Sequence, residues 1–133
     1  MLGHFYRFTV LNSLGQNITA TSVVLVKLRR WKWASDGSIT WDTEATVLDH
    51  TTTDINNATY FDGTSTDNSS NKYVGAVVFF DVTAPASSNG SISLFIKRST
   101  DGGTTYDTDA EAMFVAALDF TTSGQKRTHA LIG

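Results

Sequence analysis

The sequence predicts an all-β protein, built as an antiparallel β-sandwich of jelly-roll or immunoglobulin-like type with about seven or eight strands. Two observations predict this fold. Apolar and polar residues alternate along most of the chain, and clusters of Gly, Asn, Asp and Ser separate the alternating segments, with no long helical period between them. A length of 133 residues suits one domain with one core, so we assign residues 1–133 to a single domain.

Each of the first three predicted strands places its apolar residues on one face. These strands are expected at residues 6–10, 22–33 and 39–48, and turn residues at 12–17 and 34–38 separate them. The residues predicted to point into the core are Tyr6, Phe8, Val10, Val24, Val26 and Leu28. The opposite face of the second strand then carries Lys27, Arg29, Trp31 and Trp33.

Residues 49–72 form the longest stretch without a strand pattern. Thr, Asp, Asn, Ser and Gly dominate it, with a short apolar interruption at residues 58–61. A polar segment of this length predicts one long loop, and such loops are commonly functional or mobile. We expect this loop and both chain ends to reach neighbouring molecules.

Four further strands are expected at residues 73–82, 91–98, 112–120 and 127–132. The residues predicted to face the core are Val74, Ala76, Val78, Phe80, Val82, Ile92, Leu94, Ile96, Phe114, Ala116, Leu118 and Phe120. The alanines of the 112–120 segment also suit a short helix, so its strand assignment rests on alternation alone.

Composition and charge disfavour several classes of protein. The net charge is −3, with no cysteine, and the pI is near 5.4, so we expect neither nucleic acid as a partner nor disulfides and thiolate metal sites. No apolar run approaches the ~20 residues that cross a bilayer, so we expect no membrane partner. The first residues alternate as a strand does, and we expect no signal peptide.

Two predicted hairpin tips share one pattern, because residues 32–44 align with residues 97–109 without a gap. In the second copy, residues 99–106 resemble the Asp-box, the Ser-x-Asp-x-Gly-x-Thr-aromatic hairpin of sialidase propellers and of many secreted or virion β proteins. The first copy, residues 34–41, departs from it at two positions and is a partial likeness. The resemblance implies a structural turn, in which Asp36, Asp101 and Gly103 are the turn residues.

The run from Lys27 to Trp33 combines cations with indole rings, as single-stranded nucleic-acid platforms do. Alternation splits its cations between two faces, which favours an amphipathic strand that packs under a loop or another subunit. Exposed aromatic rings also stack on sugars. The candidate residues for glycan stacking are Trp31, Trp33, Trp41 and Tyr106.

The polar residues give no pattern typical of catalysis or metal binding. The three histidines are scattered, and the acidic residues of 101–111 do not follow the EF-hand order. Asp42, Glu44, Asp107 and Asp109 could supply a carboxylate pair for glycoside hydrolysis, but solvated turn acids are commoner. Glycine-flanked nucleophile and phosphate-loop motifs are absent from the sequence. We therefore expect no enzyme activity, no cofactor and no metal.

The chain as a whole resembles the small β-sandwich structural proteins of tailed bacteriophages. The likeness rests on a strand directly after Met1, one proline, no cysteine, a Thr/Ser/Asn/Gly-rich β pattern and the hairpin of residues 93–106. It implies a non-enzymatic virion protein of the tail or neck, or a capsid decoration. Such a protein is made and assembled in the host cytoplasm, and its partners are copies of itself and other virion proteins. The alternative is a carbohydrate-binding module on a host-recognition structure, with a host surface glycan as its ligand.

Overall fold

The computed structural model describes residues 2–19, 22–50 and 53–133 of the chain, and these residues form ten strands and no helix. All strand pairs are antiparallel. The strands are β1 (Phe5–Ser13), β2 (Val24–Trp33), β3 (Ile39–Trp41), β4 (Ala45–Asp49), β5 (Tyr60–Asp62), β6 (Thr66–Asp67), β7 (Gly75–Ala84), β8 (Gly90–Ser99), β9 (Met113–Phe120) and β10 (Gly124–Ile132).

The strands form two five-stranded sheets. Sheet I has the order β5-β1-β8-β9, with β6 also paired to β1. Sheet II has the order β10-β7-β2-β3, with β4 also paired to β2. Among the described residues the two sheets do not close into a barrel, so the predicted β-sandwich is confirmed.

The core lies between the sheets, where the alternating rows of the long strands meet. Val26 pairs with Phe80 and Leu28 with Val78 across β2 and β7, and all four side chains are buried. Burying a side chain of this size contributes about 1.5–3 kcal/mol relative to leaving it in water. The predicted rows of β1, β2 and β8 belong to this core, and so does the β7 row from Ala76 to Val82. The prediction that Val74 faces the core is wrong, because this residue precedes β7 and is only half-buried.

The predicted strand at residues 39–48 is two strands, because the chain bends at Asp42. The Asp42 carboxylate pairs with Arg30, and its second oxygen accepts the backbone N–H of Thr43 at 2.8 Å. The Asp42 amide still donates to the Arg30 carbonyl at 2.8 Å. These bonds hold the bend against β2. The strands β3 and β4 lie on either side of the bend, and both pair with β2.

The stretch predicted as a long loop, residues 49–72, is tied along β1 and contains β5 and β6. Ile55 forms a bridge with Ile18, Ala58 N–H donates to the Asn12 carbonyl at 2.7 Å, and Gly63 N–H donates to Phe8 at 2.7 Å. Residues 51 and 52 lie outside the described part of the chain. Backbone groups next to a sheet edge need partners, and the edge of β1 supplies them, so residues 55–67 lie along sheet I.

Residues 113–120 form a strand and not a helix, but the prediction that Phe114 faces the core is wrong. The register of β9 on β8 shifts between Leu94 and Phe95, where Leu94 pairs with Ala116 and Phe95 with Phe114. A β-bulge of this kind inserts one extra residue and reverses the facing of the side chains beyond it. Phe114 is consequently 62% exposed.

Candidate functional site

The predicted tryptophans come together on the outer face of sheet II. Trp31 lies opposite Trp41, and Trp33 lies opposite Ile39, in the pairing of β2 with β3. The Trp31 and Trp33 rings pack edge to face, 5.6 Å apart. Trp33 is 59% exposed and Trp41 is 44% exposed, so indole surface is open to solvent at this end of the sheet.

The cations of the same strand divide between the two faces, as alternation predicts. The Arg29 guanidinium lies 5.5 Å from the Trp41 ring on the outer face. On the other face, Arg30 and Lys32 lie 4.6 Å and 5.1 Å from the Tyr73 ring.

Arg30 also sets the ionisation of Asp42. Partial burial raises the pKa of the Asp42 carboxyl, but the hydrogen bonds from Arg30 outweigh this effect and lower the pKa. On the outer face, Arg29 also donates its Nε–H to the Asp42 carbonyl at 3.1 Å.

Tyr106 does not join the tryptophans. Its ring stacks under the Arg7 guanidinium, 4.4 Å away, and its hydroxyl is hydrogen-bonded to Ser65. Arg7 belongs to β1, so Tyr106 lies at sheet I. The four residues predicted for glycan stacking form a group of three and one separate tyrosine.

The turn after β8 is organised by Asp101. Its Oδ1 accepts the backbone N–H groups of Thr105 at 2.8 Å and Thr104 at 3.2 Å, and the Ser99 hydroxyl at 2.7 Å. The Thr105 N–H, with the Ser99 hydroxyl, lowers the pKa of Asp101 to about 2. Gly103 has a φ of +86° and donates its N–H to Ser99 Oγ at 3.0 Å. This arrangement is a rigid turn in which the carboxylate acts as a backbone acceptor.

The turn at Asp36 is smaller. Asp36 Oδ1 accepts the Ser38 N–H at 2.9 Å and the Ser38 hydroxyl at 2.6 Å, and Gly37 adopts a φ of +84°. Hydrogen bonds from Ser38 lower the pKa of Asp36. Both turns use an aspartate and a left-handed glycine, but Asp101 accepts two successive downstream amides whereas Asp36 accepts that of Ser38.

The outer face of sheet II is more apolar than the tryptophans alone indicate. Among the described residues nine large hydrophobic side chains are exposed, and five of them lie on this face: Trp33, Ile39, Trp41, Phe79 and Leu131. The candidates from sequence did not include Phe79 and Leu131. A signal was present, because placing Phe80 in the core puts Phe79 on the opposite face.

A shallow depression of about 250 Å³ lies on the same face, with Leu25 and Phe79 in its lining. Ion pairs flank it: Lys27 with Glu44 at 3.2 Å and Arg127 with Asp81 at 3.0 Å. Each charge on the flanks is thus matched by a neighbour of opposite sign. Apolar surface between matched charges is the composition of a protein contact.

A second aromatic cluster lies on the outer face of sheet I. The Phe95 ring is 6.2 Å from that of Tyr60 and 5.9 Å from that of Phe114. Beside it Lys97 is only 4% exposed, and its Nζ pairs with Asp109 at 2.5 Å and Asp62 at 3.2 Å. Sequence patterning did not identify Lys97, because Asp62 and Asp109 come close to its ammonium group only in the folded chain.

In the described part of the chain, no three His, Asp or Glu side chains cluster as metal ligands do. His50 is buried, with its ring nitrogens at the carbonyls of Ser22 and Thr53. None of the described residues belongs to a helix that is long and apolar enough to span a membrane. Comparison of the chain with protein-family models, with curated proteins and with solved structures gives no match.

Proposed function

We propose that this chain is a non-enzymatic structural subunit of the virion of a tailed bacteriophage, present in many copies in the tail or neck or as a capsid decoration. The observation that carries the proposal is the exposed apolar surface on the outer face of sheet II. Monomeric soluble proteins rarely leave contiguous apolar patches open, and such patches mark interaction sites.

The construction of the fold supports this role. Long strands around an apolar core that includes Phe8, Val26 and Phe80 make a rigid body. Tight turns at Asp36 and Asp101 fix the hairpin ends. A rigid body that presents apolar faces suits repeated assembly with identical neighbours.

The test is to find the chain in assembled particles. Phage particles that carry the gene are purified and labelled with gold-conjugated antibody against residues of this chain. We expect regular labelling at the tail, the neck or the capsid surface, and several copies per particle by quantitative mass spectrometry. Particles without the chain would overturn the proposal.

The second candidate is a carbohydrate-binding module, favoured by the grouping of Trp31, Trp33 and Trp41 on one exposed face. Stacking on a sugar ring would change the tryptophan fluorescence, and a Trp33→Ala or Trp41→Ala variant would lose that change. Tyr106→Ala serves as the matched control, because Tyr106 lies at the other sheet. A panel of host polysaccharides that leaves the fluorescence unchanged would remove this candidate.

A further inference from the structure

We propose that two copies of this chain associate face to face through the outer face of sheet II, around a twofold axis that runs along the row Leu25, Phe79 and Leu131. The inference rests on the proposed function, and it names one of the contacts by which copies of the subunit assemble. A row of apolar side chains and a row of charges carry it, and both follow from the strand register.

The apolar row crosses three neighbouring strands. Phe79 on β7 lies level with Lys27 on β2 and with His129 on β10. Leu25 is two residues before Lys27, and Leu131 is two residues beyond His129 on the other side of that level, opposite Val77. The three side chains therefore lie along one diagonal of the sheet. Phe79 is 42% exposed and Leu131 is 73% exposed.

The charged row crosses the apolar row. Glu44 lies beside Lys27 on one flank, and Arg127 lies beside Asp81 on the other. Asp81 pairs with Leu25, so it is diagonal to Lys27 on the adjacent strand. Arg127 lies directly opposite Asp81 on β10. Across the face from the β4 side to β10 the charges therefore alternate in sign: Glu44, Lys27, Asp81 and Arg127.

These two rows make the face complementary to itself. Turning a second copy over about the apolar row places its Phe79 against Phe79 of the first copy. The same rotation places the second copy's Asp81 opposite Lys27 and its Arg127 toward Glu44. In a twofold interface each such contact occurs twice, so a Lys27–Asp81 contact of opposite charges is made on both sides of the axis. Because the surface is complementary to itself, we infer that its partner is a second copy of the chain.

The size of the face suits a small contact between two copies. β2 and β7 have 10 residues each and β10 has 9, which gives a sheet surface about 30 Å by about 15 Å. A surface of that size covers about 450 Å², which is below the ~800 Å² per partner of a standard interface and in the range of weak dimers. Trp33 lies at the end of β2 beyond Lys27, and Trp41 lies on β3 beside that end. Both are away from the axis, so the contact leaves their indole rings exposed to solvent.

The first experiment compares Phe79→Lys with Phe114→Lys. Both replace an exposed phenylalanine on a strand, but Phe114 lies on sheet I. Sedimentation equilibrium over a range of concentrations should give a dimer for the wild type and for Phe114→Lys. For Phe79→Lys the dissociation constant should rise at least about tenfold, as expected for a central contact residue. Near-ultraviolet circular dichroism checks that each variant is folded.

The second experiment tests the orientation by exchanging charges. Lys27→Asp alone opposes two carboxylates across the axis, and Asp81→Lys alone opposes two ammonium groups, so each variant should be monomeric. An equimolar mixture should form a dimer with one chain of each kind, because every exchanged pair is then opposite in sign. Native mass spectrometry reads the composition directly.

The outcomes separate this inference from the proposed function. A wild-type chain that stays monomeric, a Phe79→Lys variant that still dimerises, or a mixture that does not associate would each overturn the inference. Labelling of phage particles decides the proposed function independently of these results. A chain present in particles but dimerised through Phe114 would keep the function and reject this interface.

Discussion

The backbone N–H of Thr64 donates to the carbonyl of Val47 over 2.9 Å and joins the two sheets along one side of the sandwich. The neighbouring Gly63 N–H donates to Phe8 of sheet I at 2.7 Å. Two successive amides therefore point to different sheets. This crossing point explains how the polar segment after β4 is held without strong alternation of its own.

Gly63→Ala should destabilise the protein, because a Cβ at this position would lie 2.4 Å from the Val47 carbonyl oxygen and 2.9 Å from Leu48 Cβ. Relief requires the backbone to move and weakens the Thr64 bond, so we expect a loss of about 1–3 kcal/mol, the usual cost of overpacking. Urea unfolding measures the change. Thr64→Ala keeps the amide donor and should stay within about 0.5 kcal/mol of wild type; equal losses for both variants would contradict this explanation.

Phe80→Ala and Phe114→Ala should differ sharply although both residues are phenylalanines on strands. Phe80 is 1% exposed in the core, whereas Phe114 is 62% exposed. We expect Phe80→Ala to lower the free energy of unfolding by about 3–5 kcal/mol and Phe114→Ala to change it by about 0.5 kcal/mol or less. Chemical denaturation of the two variants provides the comparison, and a large loss at Phe114 would mean that the β9 bulge is misplaced.

Phe80 and Phe114 show which side-chain orientations can be predicted from the sequence and which cannot. Alternation is a local property, so it identified the core rows of β2 and β8, and that of β7 from Ala76 onward. Phe114 lies before a bulge, and a bulge depends on the partner strand, which alternation does not contain. Spacing alone placed Trp31 and Trp33 on one face, and Trp41 lies beside them because β3 pairs with β2. Alternation also turns Phe79 away from the core, but the order of β2, β7 and β10 in one sheet, which puts Phe79 and Leu131 on the same face as the tryptophans, depends on pairing between distant segments.

The stability of the protein should fall with pH below about 4, in part through Asp101. The folded pKa of this group is about 2 because the Thr105 amide and the Ser99 hydroxyl stabilise its carboxylate, whereas an unfolded aspartate titrates near ~3.9. A lowered folded pKa contributes stability above the unfolded pKa, and that contribution is lost as the pH falls toward 2. Asp101→Asn should therefore lower the melting temperature near neutral pH and have a smaller effect near pH 2.

The control for Asp101→Asn is Asp54→Asn, which removes the same charge from an exposed aspartate. Its difference from wild type should be small across the same pH range. Thermal melts followed by circular dichroism at several pH values give both profiles. A constant difference between Asp101→Asn and wild type from neutral pH down to pH 2 would contradict the role of the carboxylate as an acceptor.

Asn68→Ala should be among the costly polar substitutions. Asn68 is 2% exposed; its Nδ2 donates to the carbonyls of Gly3 at 2.9 Å and Tyr73 at 2.8 Å, and its Oδ1 accepts the Tyr73 N–H at 2.9 Å. Alanine leaves these backbone groups without their partner, and each unsatisfied group of this kind costs about 1–3 kcal/mol.

Asn71 provides the matched comparison, because it is an exposed asparagine in the same segment. Asn71→Ala should stay within about 0.5 kcal/mol of wild type in urea unfolding. Hydrogen exchange locates the effect: in Asn68→Ala the Tyr73 amide should lose protection, while amides of the β7 core such as that of Phe80 keep it. The Tyr73 amide connects the segment after β6 to the start of β7, so unchanged protection there would show that Asn68 does not hold this junction.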